Sequence, residues 1–169
     1  RSPSWSPDGK RLVFIKGARI LEWSGGAELR TIHAAAGWPS RAVAANPDDD
    51  FDIWALALDP ATRTALGAPA LRVQSTALDW HPRFSPDGRQ VAFTSWRGGA
   101  ADIWLADADG RNPRPLSNIG AADPGTPRWS PNARWISFDS SATGRYQVYV
   151  ISADGGPPRA LTSGDSDNF

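Results

Sequence analysis

The sequence predicts an all-β fold of the β-propeller class, with four blades that are each a four-stranded antiparallel sheet. Three observations predict it: a recurring turn motif, a strand motif that recurs at nearly the same interval, and a composition rich in turn residues. Of the 18 acidic residues only Glu22 and Glu28 are glutamates, and the chain has 16 Gly and 15 Pro. Because helix formers are scarce, we expect short strands joined by tight turns.

The turn motif, Ser-Pro-Asp-Gly, is expected to join the first two strands of a blade. It occurs at residues 6–9 and 85–88, and a related Ser-Pro-Asn-Ala occurs at residues 130–133. Pro presets the backbone angle of the second turn position, and Gly readily adopts the left-handed conformation that follows. The second and third occurrences are 45 residues apart, from Ser85 to Ser130, which is typical of propeller blades.

The strand motif is Asp-Ile-Trp at residues 52–54 and 102–104, and Gln-Val-Tyr at residues 147–149. Alternating apolar residues beside it indicate half-buried strands. In the third unit we expect strands near residues 82–85, 90–95, 102–106 and 114–117, with equivalents in the fourth unit near Pro127, Trp135, Gln147 and Arg159. The repeats divide the chain into units of residues 3–38, 39–81, 82–126 and 127–169.

The second unit is short. Ser6 and Ser85 are only 79 residues apart, and no aromatic-Ser-Pro-Asp-Gly turn follows residues 37–40, so this blade lacks its innermost strand in the sequence. Either the strand is lost, or residues outside the printed sequence belong there. The second alternative is favoured because a missing inner strand would expose the edges of its neighbours.

Four units seldom close a propeller ring, so we expect an incomplete ring. Its open sheet face would be apolar and would need further chain or a second copy of this chain to cover it. The chain contains no Met, which leads us to expect a piece of a longer protein.

The repeated phrase P-x-[WF]-S-P-D-G-x-x-[VI]-x-F, followed by D-I-W-x-x-D-x-D-G and P-R-P-L or P-R-A-L, resembles the repeats of the TolB-like, WD-like β-propeller family. The resemblance is strong in the third and fourth units, moderate over residues 3–32 and partial over residues 39–73. It implies a module that binds a protein or an envelope component, located in the periplasm or otherwise outside the cytoplasm. Similar propellers occur in sensory halves of membrane-bound winged-helix regulators and beside the catalytic domains of serine peptidases, so both remain alternatives.

Composition and motifs argue against several classes of function. The 18 basic and 18 acidic residues cancel, which disfavours direct nucleic-acid binding, and the apolar runs are too short to insert into a membrane. There is no Cys, and His33 and His81 stand apart, so no metal site is predicted.

Ser166 lies in Gly-Asp-Ser-Asp-Asn, which lacks the second Gly of a nucleophile elbow. The acidic residues 46–52 do not match a calcium loop. We therefore predict a protein that is not an enzyme and has no cofactor.

Aromatic residues that repeat from unit to unit are expected to pack between blades. Two repeat positions are aromatic, and Trp135 is expected to join them in the core. The first position holds Trp5, Phe84 and Trp129, and the second holds Trp54, Trp104 and Tyr149.

Residues that do not repeat are the candidates for recognition, because propellers place binding residues on their connecting loops. The loops between second and third strands carry Trp96 and Arg97 in the third unit and Arg145 and Tyr146 in the fourth. The linkers between blades carry Trp80, His81 and Asp123, together with Trp38 and Asp79. We expect these side chains to share one face of the propeller and to serve binding rather than blade packing.

Overall fold

The computed structural model describes residues 51–62, 64–119 and 124–164 in full, and four earlier strands by their backbone alone. Every regular element among these residues is a strand, which confirms the predicted all-β fold. In chain order the strands are β1 (Ser4–Trp5), β2 (Arg11–Lys16), β3 (Ile20–Trp23), β4 (Leu29–Ile32), β5 (Asp52–Ala57), β6 (Ala70–Val73), β7 (Asp79–Phe84), β8 (Gln90–Ser95), β9 (Asp102–Asp107), β10 (Arg114–Pro115), β11 (Arg128–Trp129), β12 (Trp135–Ser140), β13 (Gln147–Ser152) and β14 (Arg159–Ala160).

The described strands form three four-stranded antiparallel sheets and one two-stranded sheet. The second sheet contains β7, β8, β9 and β10 in spatial sequence, and the third sheet contains β11, β12, β13 and β14. Their strands lie near the predicted strand positions, although β7 begins at Asp79 and not at residue 82, where the third unit was predicted to start. The β-propeller architecture is thereby confirmed for the repeating part of the chain.

The first sheet differs from the predicted grouping. It has the order β1-β2-β5-β6, so strands assigned to two units form one blade, while β3 and β4 pair with each other as a hairpin. The register places Leu12 opposite Leu56 and Phe14 opposite Trp54. The physical reason is the missing inner strand: β5 would otherwise leave an unpaired edge, and β2 satisfies its backbone hydrogen bonds. Three four-stranded sheets are therefore described, where four blades were expected.

The repeated turn motif is held by its own side chains. Ser85 Oγ donates to Asp87 Oδ1 over 2.6 Å and accepts from the Gln90 backbone N–H at 3.0 Å. Asp87 Oδ1 also accepts from the Arg89 backbone N–H at 3.1 Å. The same three contacts recur in the third sheet, at 2.7, 3.0 and 3.1 Å, among Ser130, Asn132, Arg134 and Trp135. The prediction that Asp87 is a structural turn residue is confirmed.

A second repeated contact is a hydrogen bond between the third strand of a blade and the segment that follows the fourth strand. Ser117 Oγ donates to Asp102 Oδ1 over 2.9 Å and accepts from the Ile103 backbone N–H at 2.9 Å. In the third sheet Thr162 Oγ1 donates in the same way to Gln147 Oε1 over 2.7 Å. The polar residues that open the strand motifs of the second and third sheets, Asp102 and Gln147, are therefore part of their blades.

The core lies between the sheets, in two clusters of buried side chains. One cluster joins the first and second sheets and includes Ile53, Phe84 and Phe93, with Trp104 packed against it. The other joins the second and third sheets through Ile103, Leu105, Ile136, Phe138, Tyr149 and their neighbours, with Trp129 packed against it. The predicted aromatic positions are thus confirmed at Phe84, Trp104, Trp129 and Tyr149.

Trp135 is an exception, because its side chain is 48% exposed. It opens β12, whose burial alternates along the strand. Since successive side chains of a strand point to opposite faces, the burial of Ile136 directs Trp135 away from the second sheet. The prediction that Trp135 joins the core is wrong.

Candidate functional site

The candidate site lies at one end of the second sheet, where the linker from the preceding blade enters β7 and the loop after β8 leaves. Trp80 is at its centre, with its ring edge-to-face against Phe51 at 5.4 Å and Trp96 at 5.8 Å between centroids. His81 contacts the same indole at 5.7 Å. These four half-buried side chains, hereafter the aromatic cluster, unite three of the predicted binding residues.

Phe51 was not predicted to belong to the site. It immediately precedes β5, at the end of the long connection that contains the β3–β4 hairpin, and its carbonyl accepts from the Asp79 backbone N–H at 3.0 Å. The signal available in the sequence was its place directly before the Asp-Ile-Trp motif. The equivalent residue before β9 is Ala101, so an aromatic there is a departure from the repeat.

An ion pair lies directly beside the aromatic cluster. Arg97 Nη2 and Asp79 Oδ2 are 2.7 Å apart, and their side chains are 15% and 0% exposed. Ser75 Oγ donates to the same carboxylate oxygen over 2.9 Å, and Arg97 Nε donates to Ser95 Oγ over 3.1 Å. Both charged groups are therefore held by more than one polar contact.

The guanidinium of Arg97 also packs on the blade core. Its central carbon lies 5.1 Å from the Trp104 ring centroid and 5.5 Å from that of Phe93, within the range of a cation–π interaction. Arg97 was expected to have no part in blade packing, and this expectation is wrong. Its side chain connects the loop after β8 to the buried Asp79.

The polar atoms near the aromatic cluster are not all satisfied. Asp79 Oδ1 and Trp80 Nε1 are buried, and neither has a hydrogen-bond partner among the residues that the structure describes. One is an acceptor and the other a donor. Buried polar groups usually find partners, so these two atoms are exceptions to the usual pattern.

The backbone of the innermost strand is irregular at the same place. His81 has a φ of 52°, and the pairing of β7 with β8 shifts register between Trp80 and Arg83. A left-handed conformation is uncommon for residues other than Gly, and bulges often re-aim side chains near functional sites. Because of this bulge, the side chains of Trp80 and His81 do not follow the regular alternation between the two faces of the sheet.

The candidates in the fourth unit lie one blade further on. Arg145 is exposed and Tyr146 is half-buried in the loop between β12 and β13. By the 45-residue offset they correspond to Ala100 and Ala101, whereas Trp96 and Arg97 correspond to Ser141 and Ala142. Both loops leave the same end of their sheets, so all four residues border one face. Asp123 and Trp38 lie outside the described residues.

The structure adds two arginines that sequence reasoning missed. Arg83 and Arg128 occupy equivalent positions on the innermost strands β7 and β11. Burial, and to a smaller extent the positive charge of Arg128, lower the pKa of Arg83 to about 10. Arg83 Nη1 donates to the Pro82 carbonyl over 2.9 Å. The available signal was Pro-Arg-aromatic, which recurs at 45 residues.

The predicted absence of a metal site can be compared with the described part of the chain only. No set of three or more His, Cys, Asp or Glu residues there could hold a metal ion. His33, Ser166 and most of residues 46–52 lie outside it. No helix in the described ranges is long and apolar enough to cross a membrane.

Comparison with known proteins gives relatives of two kinds. The Tol-Pal system protein TolB of Bordetella pertussis is 29% identical over 126 residues, which are 64% of this chain and 27% of that protein. Tricorn protease homolog 1 of Streptomyces coelicolor is 37% identical over 71 residues, which are 41% of this chain and 6% of that protein. The chain thus spans well under half the length of each.

Solved structures support the same fold. The crystal structure of TolB from Acinetobacter baumannii superposes with a TM-score of 0.58 at 21% identity, over 99% of this chain and 44% of that chain. At this identity the likeness shows the fold alone. The family described as TolB beta propeller domain matches residues 67–169, which is more than half of the chain. The protein therefore belongs to the TolB beta propeller domain family.

Proposed function

We infer that this chain is a non-catalytic binding module that docks a protein or an envelope component through the face bearing the aromatic cluster. The observation that carries this inference is the cluster itself. Its residues are half-buried, and three of them replace small residues of the next blade: Trp80, His81 and Trp96 correspond to Gly125, Thr126 and Ser141. The fold does not need large rings at these positions, so another selective reason is required.

The chemistry of the face suits protein recognition. Tryptophan, tyrosine and arginine are the side chains most often found at the energetic centre of interfaces. The ion pair of Arg97 with Asp79 fixes the loop after β8 and so presents Trp96 in a defined position, which lowers the entropy lost on binding.

A periplasmic or extracytoplasmic location accompanies this proposal. Its support is the likeness to the TolB of Bordetella pertussis, a Tol-Pal system protein, together with the repeat phrase. An accessory propeller of a peptidase is the second candidate. The local identity of 37% to a tricorn protease homolog favours it, and in that case the catalytic groups would reside in another domain.

The test is a binding titration with matched variants. A partner is first captured on immobilised chain from a bacterial envelope fraction, identified and purified. Trp96→Ala and Arg145→Ala should each weaken its binding about tenfold, or about 1.4 kcal/mol, while the thermal midpoint changes little because neither residue belongs to the buried core. Thr143→Ala, at an exposed polar position of the same loop as Arg145, is the control and should bind normally.

Unchanged affinity in both variants would refute the docking face. Hydrolysis of peptide or ester substrates by the purified chain, abolished by Ser166→Ala, would instead show that the chain is an enzyme.

A further inference from the structure

His81 is a left-handed residue inside a strand. Among the described residues other than glycine, a positive φ occurs at His81, Asn112 and Ala133. Asn112 and Ala133 lie in connections between strands, where a left-handed residue helps the chain to reverse. His81, with a φ of 52°, lies within β7 and directly precedes Pro82. Because proline favours an extended conformation in the residue before it, the backbone of His81 is unfavourable for two reasons.

The blade itself does not require this conformation. In both the second and the third sheet, the innermost strand has one residue more than the strand beside it. The pairs that show this are Trp80 with Thr94 and Arg83 with Ala92 in the second sheet, and Pro124 with Ser140 and Arg128 with Ser137 in the third. Thr126, the equivalent of His81, also precedes a proline but has no positive φ. The third sheet therefore accommodates its extra residue without a left-handed conformation.

The two sheets differ in the residue that comes directly before this position. It is Trp80 in the second sheet and Gly125 in the third. Gly125 has no side chain to orient, whereas the Trp80 ring makes edge contacts with three other rings, at 5.4, 5.7 and 5.8 Å between centroids. The left-handed conformation thus accompanies the ring at the centre of the aromatic cluster.

The two rings outside β7 are fixed to the chain just before Trp80. The Phe51 carbonyl accepts from the Asp79 backbone N–H at 3.0 Å, and the Leu78 carbonyl accepts from the Trp96 backbone N–H at 3.1 Å. After Trp80, β7 is again in register with β8 at residue 83. The orientation of the Trp80 ring toward its neighbours therefore depends on the backbone angles at residues 80 and 81.

We propose, on the basis of the docking function inferred above, that His81 is a positioning residue of the binding face. It acts through its left-handed backbone, which holds Trp80 against Phe51 and Trp96, and not by contacting the partner. Backbone strain of this kind persists where the surrounding structure maintains it, and it is concentrated at functional sites. Histidine adopts the left-handed conformation more readily than most residues that carry a side chain, which accounts for a histidine here.

The experiment compares His81→Asn with His81→Thr. Both changes remove the imidazole, but asparagine tolerates a left-handed backbone and β-branched threonine does not. The rings of Trp80 and Trp96 lie 5.8 Å apart at 62°, a geometry that gives an exciton couplet in circular dichroism, and the component lost in Trp96→Phe identifies it. His81→Asn should keep this couplet, and His81→Thr should lose most of it. Thr126→Asn, at the equivalent position of the third sheet, is the control and should keep it.

Binding of the partner captured from the envelope fraction is measured on the same variants. His81→Thr should weaken binding about tenfold, while His81→Asn should stay within about twofold of the unchanged chain. Equal losses of binding in the two variants, with the couplet kept in both, would show that the imidazole contacts the partner and would overturn the proposal. A couplet that survives His81→Thr would also overturn it. If Trp96→Ala leaves binding unchanged, the docking function fails and the binding role of His81 with it, although the couplets still report whether His81 holds Trp80.

A second pair of variants decides the matter if His81→Thr does not fold. Glycine adopts the left-handed conformation without steric cost, and alanine does not. His81→Gly should therefore keep the couplet and His81→Ala should lose it. The same couplet in both variants, or its loss from both, would overturn the proposal.

Discussion

Replacing Arg97 by Ala is predicted to destabilise the fold strongly, although Arg97 is a loop residue with no equivalent in the next blade. The change leaves Asp79, 0% exposed, without its cationic partner, and removes the guanidinium from the rings of Phe93 and Trp104. Breaking a buried ion pair from one side costs about 3–5 kcal/mol. Because Ser75 still donates to the carboxylate, we expect a loss near the lower end, about 3 kcal/mol.

The assay is urea unfolding followed by tryptophan fluorescence, applied to Arg97→Ala, Asp79→Ala and the double variant. Two residues in contact do not contribute additively, so the double variant should lose less stability than the sum of the single losses, by at least about 1 kcal/mol. If Arg97→Ala lowers the free energy of unfolding by less than about 1 kcal/mol, as the loss of an exposed ion pair does, the role assigned to Arg97 is refuted. Additive losses would also refute it.

Three further predictions concern the blades. Ala133 has a φ of 57°, and the equivalent Gly88 has a φ of 69°. This left-handed conformation strains alanine but not glycine. In chemical denaturation, Ala133→Gly should therefore stabilise the protein and Gly88→Ala should destabilise it, each by about 1 kcal/mol. Trp104→Ala should cost about 3–5 kcal/mol, whereas Trp135→Ala, at an exposed position, should cost less than about 1 kcal/mol; similar losses would contradict the assigned burial. Hydrogen bonds, first from the Ser85 hydroxyl and then from the Arg89 backbone N–H, hold the pKa of the Asp87 carboxyl below its usual 3.8. The ionised carboxylate therefore stabilises the fold above about pH 4. This contribution is lost as the pH falls through the lowered pKa of Asp87. Asp87→Asn should therefore reduce the loss of melting temperature on acidification, and an unchanged pH profile would argue against this contribution.

Local patterns predicted the second and third sheets well. The turn motif at residues 85–88 and the strand motif at residues 102–104 depend on contacts within a few residues, and both repeat 45 residues later. Turns and strands of this kind depend on residues close together in the sequence, so the local sequence is enough to predict them. The structural role of Asp87 could be deduced before any contact was known.

Contacts between distant segments were not predictable in the same way. The pairing of β2 with β5 joins residues separated by the β3–β4 hairpin, and no local pattern distinguishes it from pairing within a unit. The partner of Arg97 is Asp79, 18 residues earlier, so its apparent freedom on a loop was misleading. The prediction that Trp135 is buried was wrong for a simpler reason. A shift of one position along a strand reverses the face to which a side chain points.

The central claim is that the aromatic cluster and the neighbouring loops on one face bind a partner, while the repeated residues, together with Arg97, hold the blades. Amide hydrogen exchange, measured with and without the partner identified by the capture experiment, tests it most directly. Binding should slow exchange in residues 78–81 and in the loops at residues 96–101 and 141–146. Slowed exchange confined to the turns at residues 85–88 and 130–133, which lie at the opposite ends of β8 and β12, would contradict the account.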